Sequence, residues 1–350
     1  MVGYDIGPMR LRHRLQAYPM VILLLPLVAA ILLFVTSPPK YPVKTPPNAM
    51  QTFLYQRLTD AGLSGDELAT VGALTLGYKA DLDKELRRHF QASGAAHVLA
   101  VSGLHTGILY GLLLWLLTLG GRLRPMHENR IGRCAVSAVI IICMWAYAWL
   151  TGMTPSVVRA VLMVTIFEVG RMVYRQAFSL NTIAAAAVLI LLVNPKDLWS
   201  VSFQLSFAAT AAIVSLTPTL PFRERRWPRI VTYFTGILII SLAAQLGTLP
   251  ITIYYFGQVS CYFLLTNLIV LPLATLLVPC GLATIVLGGS WLGLQAGKIT
   301  GALAWAMNHS VGWIESLPGS TLPAFANGWM VGVYYILLLL FYVLVIRKRP

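Results

Sequence analysis

The residues with the most chemical potential lie inside the most apolar stretches of the chain. His97-Val98-Leu99-Ala100-Val101-Ser102-Gly103-Leu104-His105 sets two imidazoles and a hydroxyl close together. On one continuous helix, at 100° per residue, His97, Val101, Ser102 and His105 fall within an arc of roughly 140°. Both histidines and the serine would then share a face. Ionisable groups at membrane depth are costly, and they face the bundle interior, where they serve pathways or relays. The competing reading is packing, with each histidine hydrogen-bonded to a neighbouring helix. The clustering favours function.

Thr154-Pro155-Ser156-Val157-Val158-Arg159 opens a later apolar run. Pro155 suits a first helical turn. Arg159 stands about one turn inside, too deep for an ordinary surface cation. It either snorkels outward, pairs with a polar group, or offers charge to a passing anion. Glu168 is the only acid within an apolar run, and Arg171 at i+3 is its expected structural partner. Ser202, Ser206 and Thr210 form an i, i+4 stripe beside Gln204, and Asn267 precedes Pro272. Small hydroxyls often mediate helix packing, whereas Gln204 and Asn267 are harder to explain that way. Cys134, Cys143, Cys261 and Cys280 have no metal-ligand spacing and read as buried free thiols.

These residues need an apolar scaffold, and composition supplies one. The chain has 350 residues, 57% hydrophobic and 11% charged, with mean hydropathy +0.74. A soluble domain carries about 25% charged residues. Four cysteines are too few for a secreted disulfide scaffold. The expectation is an all-α polytopic membrane protein with about eight to ten crossings, some helices broken or re-entrant, plus amphipathic surface helices.

Residues 1–35 read as a cytoplasmic N-terminus and an uncleaved first span, Tyr18 to Val35, preceded by Arg10, Arg12 and Arg14. Residues 36–51 form a Pro-rich linker. Residues 52–96 hold half of the acids with apolar residues at helical spacing, the pattern of amphipathic surface helices. A core over 97–320 and a last span with a basic end over 321–350 complete the chain. Asn194-Pro195 ends a short run, and Pro250 and Pro272 interrupt long ones; with Pro155 these are the expected helix-break positions. Broken helices are tolerated where protein or a cavity surrounds them and often mark a translocation site. Residues 261–315 read either as two successive spans or as a hairpin followed by a surface helix.

The net charge is +14. Five basic segments, at both ends and around 122–133, 171–175 and 223–229, hold 16 basic and 3 acidic residues, a net of +13. The positive-inside rule puts these and both termini in the cytoplasm. The charge therefore reports orientation more than a nucleic-acid surface.

His97 to His105 resembles the signature of the ComEC competence family. Leu76-Gly77-Tyr78-Lys79, Pro155-Ser156-Val157-Val158-Arg159-Ala160, Asn194-Pro195, Phe203-Gln204-Leu205-Ser206-Phe207-Ala208, Pro250 with Tyr255-Phe256-Gly257, and Asn267 with Pro272-Leu273 follow in the family's order over roughly residues 52 to 320. The resemblance implies a channel carrying single-stranded DNA through the bacterial inner membrane during natural transformation. His97, Ser102, Gly103, His105, Arg159, Gln204, Ser206 and Asn267 would line or gate it. Full members usually add an OB-like module and often a metallo-β-lactamase-like nuclease. Only the Pro-rich linker stands where the first would be. No two of the six histidines are adjacent or two apart, so the histidine cluster of the second is missing. The expectation is the channel core alone, with no catalytic residue, metal or cofactor. The chain has no Gly-x-x-x-x-Gly-Lys-Ser/Thr loop. Any ATP-driven pulling would come from a cytoplasmic motor, delivery from a periplasmic DNA-binding protein, and nuclease activity from a separate chain.

Two alternatives belong to other classes. Ala100-Val101-Ser102-Gly103 with His105 suggests an intramembrane serine protease, although such sites draw their histidine from a different helix. Composition equally suits a small-solute or lipid transporter.

Overall fold

The structure, a computed structural model, describes residues 48–99, 101–118, 130–172, 180–217 and 228–342. The first span, the linker up to residue 47 and most of the basic clusters lie outside the described residues. Among those described, the secondary structure is almost wholly helical.

Asn48 starts α1 (Ala49–Asp60) through a capping box with Gln51: each backbone N–H donates to the other's side chain, at 2.9 and 2.7 Å. The Gln51 amide then donates to the Leu76 carbonyl at 2.9 Å, fastening α1 to the end of α2 (Gly65–Leu76). Gly77 ends α2 at φ 69°, a left-handed turn that favours glycine. α3 (Lys84–Ser93) buries Leu86, Phe90 and Ser93, and α4 (Ala96–Leu99) is a single turn. α1 and α3 bury one face each, as amphipathic helices do. α2 departs from that pattern, because every residue from Ala69 to Leu76 is buried.

α5 (Gly103–Leu117), α6 (Arg130–Leu150), α7 (Pro155–Met172) and α8 (Leu180–Val193) follow. α8 stops at Asn194-Pro195, where a 3-10 turn (Pro195–Trp199) leads into α9 (Val201–Leu216). α10 (Arg229–Phe256) precedes a strand β1 (Gln258–Ser260). α11 (Phe263–Leu287) and α12 (Trp291–Glu315) form a tight antiparallel hairpin. β2 (Thr321–Pro323) pairs antiparallel with β1, Val259 opposite Leu322, and α13 (Gly328–Phe341) follows. Residues 261–315 are thus two helices of 25 residues each, the first of the two expected arrangements in helix length.

The apolar interior has three centres. Leu58, Leu74, Phe90, Leu277 and Met307 join α1 to α4 with α11 and α12. Ile140, Met144, Val157 and Val161 join α5, α6 and α7. Ile190, Leu191 and Phe203 join α8 and α9. α10 packs on α9 and α11, and α13 packs on α10. Outside these centres the surface is unusually apolar: Val193 is 88%, Val286 77% and Ile131 77% exposed. Such a surface needs lipid rather than water.

Among the described residues, three helices are long and apolar enough to cross a membrane: Ile131–Leu150, Ile230–Phe256 and Phe263–Leu287. α5, α8, α9 and α13 are apolar but about 21–24 Å long, short of a straight ~30 Å crossing. The chain is an all-α membrane protein.

Three expectations need correction. Pro250 and Pro272 do not break their helices, because α10 and α11 run on through them. The cysteines are free but not buried, with Cys261 exposed and the others half-buried. The helix carrying His105 starts at Gly103, not at His97.

Candidate functional site

The 94–105 segment is two helix ends joined by a break. Gly94 caps α3 at φ 91°, and a Cβ there would press within 2.9 Å of the Ser260 hydroxyl. Glycine answers both constraints. α4 carries His97, which is exposed. Val101 is buried against Gly77, and Ser102 is extended, with φ −125° and ψ 179°. The Ser102 hydroxyl accepts the Leu104 N–H at 3.3 Å, and His105 Nδ1 accepts the Ser102 N–H at 3.2 Å. This capping box satisfies the orphan donors of a helix start, which is why the helix begins here. The single 140° arc fails because it assumed unbroken helix.

His105 is fully buried. Its Nδ1 also lies 3.1 Å from the Ser102 hydroxyl. Because Nδ1 accepts a backbone N–H, the neutral ring carries its proton on Nε2. That nitrogen is buried without a hydrogen-bond partner among the described residues. His97 and Lys79 lie within electrostatic reach. Burial pushes the Lys79 ammonium down, and the nearby Arg87 charge adds to the shift.

Gly103 faces α7: a Cβ there would touch the Ala160 methyl at 4.0 Å. α7 begins with Pro155 in its first turn. One turn on, Arg159 is only 2% exposed, so it does not snorkel. Its Nη2 donates to the Ser202 carbonyl at 2.7 Å, the Ser202 hydroxyl at 2.9 Å and the Ser156 hydroxyl at 3.3 Å. The two hydroxyls lie 2.9 Å apart. Arg159 Nε is buried with no partner among the described residues. The first turns of α7 and α9 therefore meet at Arg159, and Gly103 sets the start of α5 against the neighbouring Ala160. Asp197 acts on Arg159 from beyond ion-pair distance. Its carboxyl is pushed up by burial, against the opposing pull of Arg159 and Asn194.

Gln204 donates from its amide to the Leu198 carbonyl at 3.1 Å, bracing the 3-10 turn, and Asn194 bonds the Asp197 carboxylate at 2.9 Å. Ser206 is half-buried, and its carbonyl accepts the Thr210 hydroxyl at 2.8 Å. Asn267 stands on another wall, α11, nearly buried with Oδ1 lacking a partner among the described residues. Beside it, Thr266 donates to the Ser93 carbonyl at 2.6 Å. The structure thus joins Ser102 to His105 at the start of α5 and joins Arg159 to Ser156 and Ser202 between α7 and α9. It places Gln204 on α9 beside the 3-10 turn, and Asn267 on α11, which packs on α5.

Glu168 and Arg171 do pair, at 2.7 Å. Sequence reasoning missed the rest of that site. Glu168 is fully buried and also accepts the Tyr110 hydroxyl at 2.7 Å and the Ser137 hydroxyl at 2.6 Å. These groups tie α5, α6 and α7 together. A hydroxyl in the middle of each neighbouring run was the available signal. Among the described residues no group of three or more His, Cys, Asp or Glu is placed to hold a metal.

A model of the competence protein family matches residues 74–349. The chain is 32% identical to ComE operon protein 3 of Bacillus subtilis over 260 residues, 74% of this chain and 31% of that protein. It is 29% identical to the uncharacterized protein YcaI of Escherichia coli over 220 residues, 62% of this chain and 29% of that protein. It is 25% identical to recombination protein 2 of Haemophilus influenzae over 231 residues, 64% of this chain and 29% of that protein. The chain spans about a third of the length of the relatives it matches. No solved structure matches it.

Proposed function

The chain belongs to the competence protein family, and from that premise we propose that it carries single-stranded DNA through the bacterial inner membrane into the cytoplasm during natural transformation. One observation carries the reading furthest: Arg159 is a buried cation held by neutral oxygens. Among the described residues no carboxylate comes within ion-pair distance of it. A buried charge without a counter-charge is expensive to keep, and a path for a polyanion is a reason to keep one.

His97, Ser102, Gly103, His105, Arg159, Gln204, Ser206 and Asn267 line or gate that path. The basic loops set the orientation, with both termini cytoplasmic. The Ser102, Pro155 and Ser200 helix ends then face outward, where DNA arrives. A cytoplasmic ATP-driven motor pulls, a periplasmic protein delivers the strand, and any nuclease is a separate chain. We read the protein as non-enzymatic. Ser102 and His105 touch because they cap a helix, and the serine oxygen is already engaged by the Leu104 N–H.

The test is transformation. Arg159→Ala and His105→Ala should each cut DNA uptake while membrane insertion survives. Normal uptake in both variants would remove the lining role.

A further inference from the structure

This inference rests on the DNA-channel reading and names what the Arg159 site recognises. Nε and Nη2 of an arginine form a side-on fork that matches two oxygens of a phosphate. At Arg159, Nη2 alone is spread over three neutral oxygens, two from Ser202 and one from Ser156. Nε is buried and without a partner among the described residues. The first turns of α7 and α9 converge on this point through Ser156 and Ser202, each adding positive partial charge. Gly103 packs against Ala160, the residue that follows Arg159.

The Ser202 contact is also a fastening. Ser202 lies in the first turn of α9, so its bonds to Arg159 hold α9 against α7. Those bonds have a charge on one side only. A phosphodiester offers a full counter-charge and two oxygens that meet the Nε–Nη2 edge together, which the Ser202 oxygens on Nη2 do not.

We propose that a phosphodiester group of the arriving strand takes the Nε–Nη2 edge of Arg159 from Ser202 and thereby releases α9 from α7. The passage opens to an anionic backbone whatever its bases. Asp197, the acid that acts on Arg159 from a distance, opposes the incoming anion.

The experiment uses the full chain in lipid nanodiscs and two fluorescent oligothymidylates, one with a phosphodiester and one with an uncharged methylphosphonate backbone. The wild type should bind the first far more tightly than the second. Arg159→Gln should lose roughly tenfold to a hundredfold in affinity for the phosphodiester strand and nothing for the methylphosphonate. Arg159→Lys should recover only part, because an ammonium lacks the fork. Ser202→Ala, which weakens the competing contact, should bind the phosphodiester strand more tightly. If Arg159→Gln does not fold, the lysine and alanine variants decide in its place. Equal binding of both backbones by the wild type overturns the latch and leaves the channel reading standing. So does unchanged phosphodiester affinity in the Arg159 variants, or weaker binding by Ser202→Ala. Failure of the wild type to bind either strand overturns the channel reading and the latch with it.

Discussion

The Tyr334 hydroxyl on α13 donates to the Leu246 carbonyl on α10, 2.8 Å away. Leu246 lies four residues before Pro250, so its carbonyl is the one that the missing proline N–H leaves unpaired. The Tyr335 hydroxyl donates to the next carbonyl along, that of Gly247, at 2.7 Å. A carbonyl unpaired in lipid is costly, and neighbouring helices are the usual remedy. The proline therefore keeps its place inside α10, and α13, which buries no residue of its own, is fastened to it by two hydroxyls.

Tyr334→Phe should lower stability by about 0.5–1.5 kcal/mol, measured by thermal unfolding in detergent. In a Pro250→Ala background the restored N–H pairs Leu246 internally, and the same substitution should cost less. Equal cost in both backgrounds would break the link between tyrosine and proline.

Glu168 is the hub of the α5–α6–α7 contact. Tyr110→Phe and Ser137→Ala should each cost about 1 kcal/mol. Glu168→Ala strips Tyr110, Ser137 and Arg171 of a shared partner and should cost about 3 kcal/mol or more. Unfolding of the three variants, compared under one detergent condition, gives the ranking; a mild Glu168→Ala would show that the carboxylate is not the hub.

Gly247 sits where α9 and α10 touch. A Cβ there would come within 2.6 Å of the Ala208 carbonyl and 2.5 Å of the Ala212 methyl. Gly247→Ala should therefore destabilise by about 1–3 kcal/mol, while Gly236→Ala, with nothing within 4 Å, should not. Thermal unfolding of the pair separates close approach from simple loss of glycine.

Ser102 acts as a helix cap. Ser102→Ala should cost about 1 kcal/mol, and Ser102→Asn, a good cap with no hydroxyl, should recover most of it. Uptake assays should follow the same order. A Ser102→Asn variant that is stable yet wholly inactive would favour a hydroxyl with chemical work to do.

Much of the scaffold was legible in the residues alone. The scarcity of charge required a membrane protein, Asn194-Pro195 required a helix end, and Pro155 required a helix start. Glu168 and Arg171 pair because i and i+3 share a helix face, a relation that needs no tertiary information. The break before Gly103 was harder to see: His97 to His105 is apolar enough to read as one helix, and only the Ser102–His105 capping geometry interrupts it.

What the sequence by itself determined is therefore local: which runs are apolar, where prolines and caps set helix ends, and which charges share a turn. The tertiary structure alone decided which distant groups meet. Arg159 reaches Ser202 across 43 residues, and Tyr334 reaches Leu246 across 88. The physical reason is that hydrogen-bond donors and acceptors buried in an apolar medium must find partners wherever helix packing brings them. Packing is set by close approaches, such as Gly247 on Ala208 and Gly103 beside Ala160, that no periodicity records.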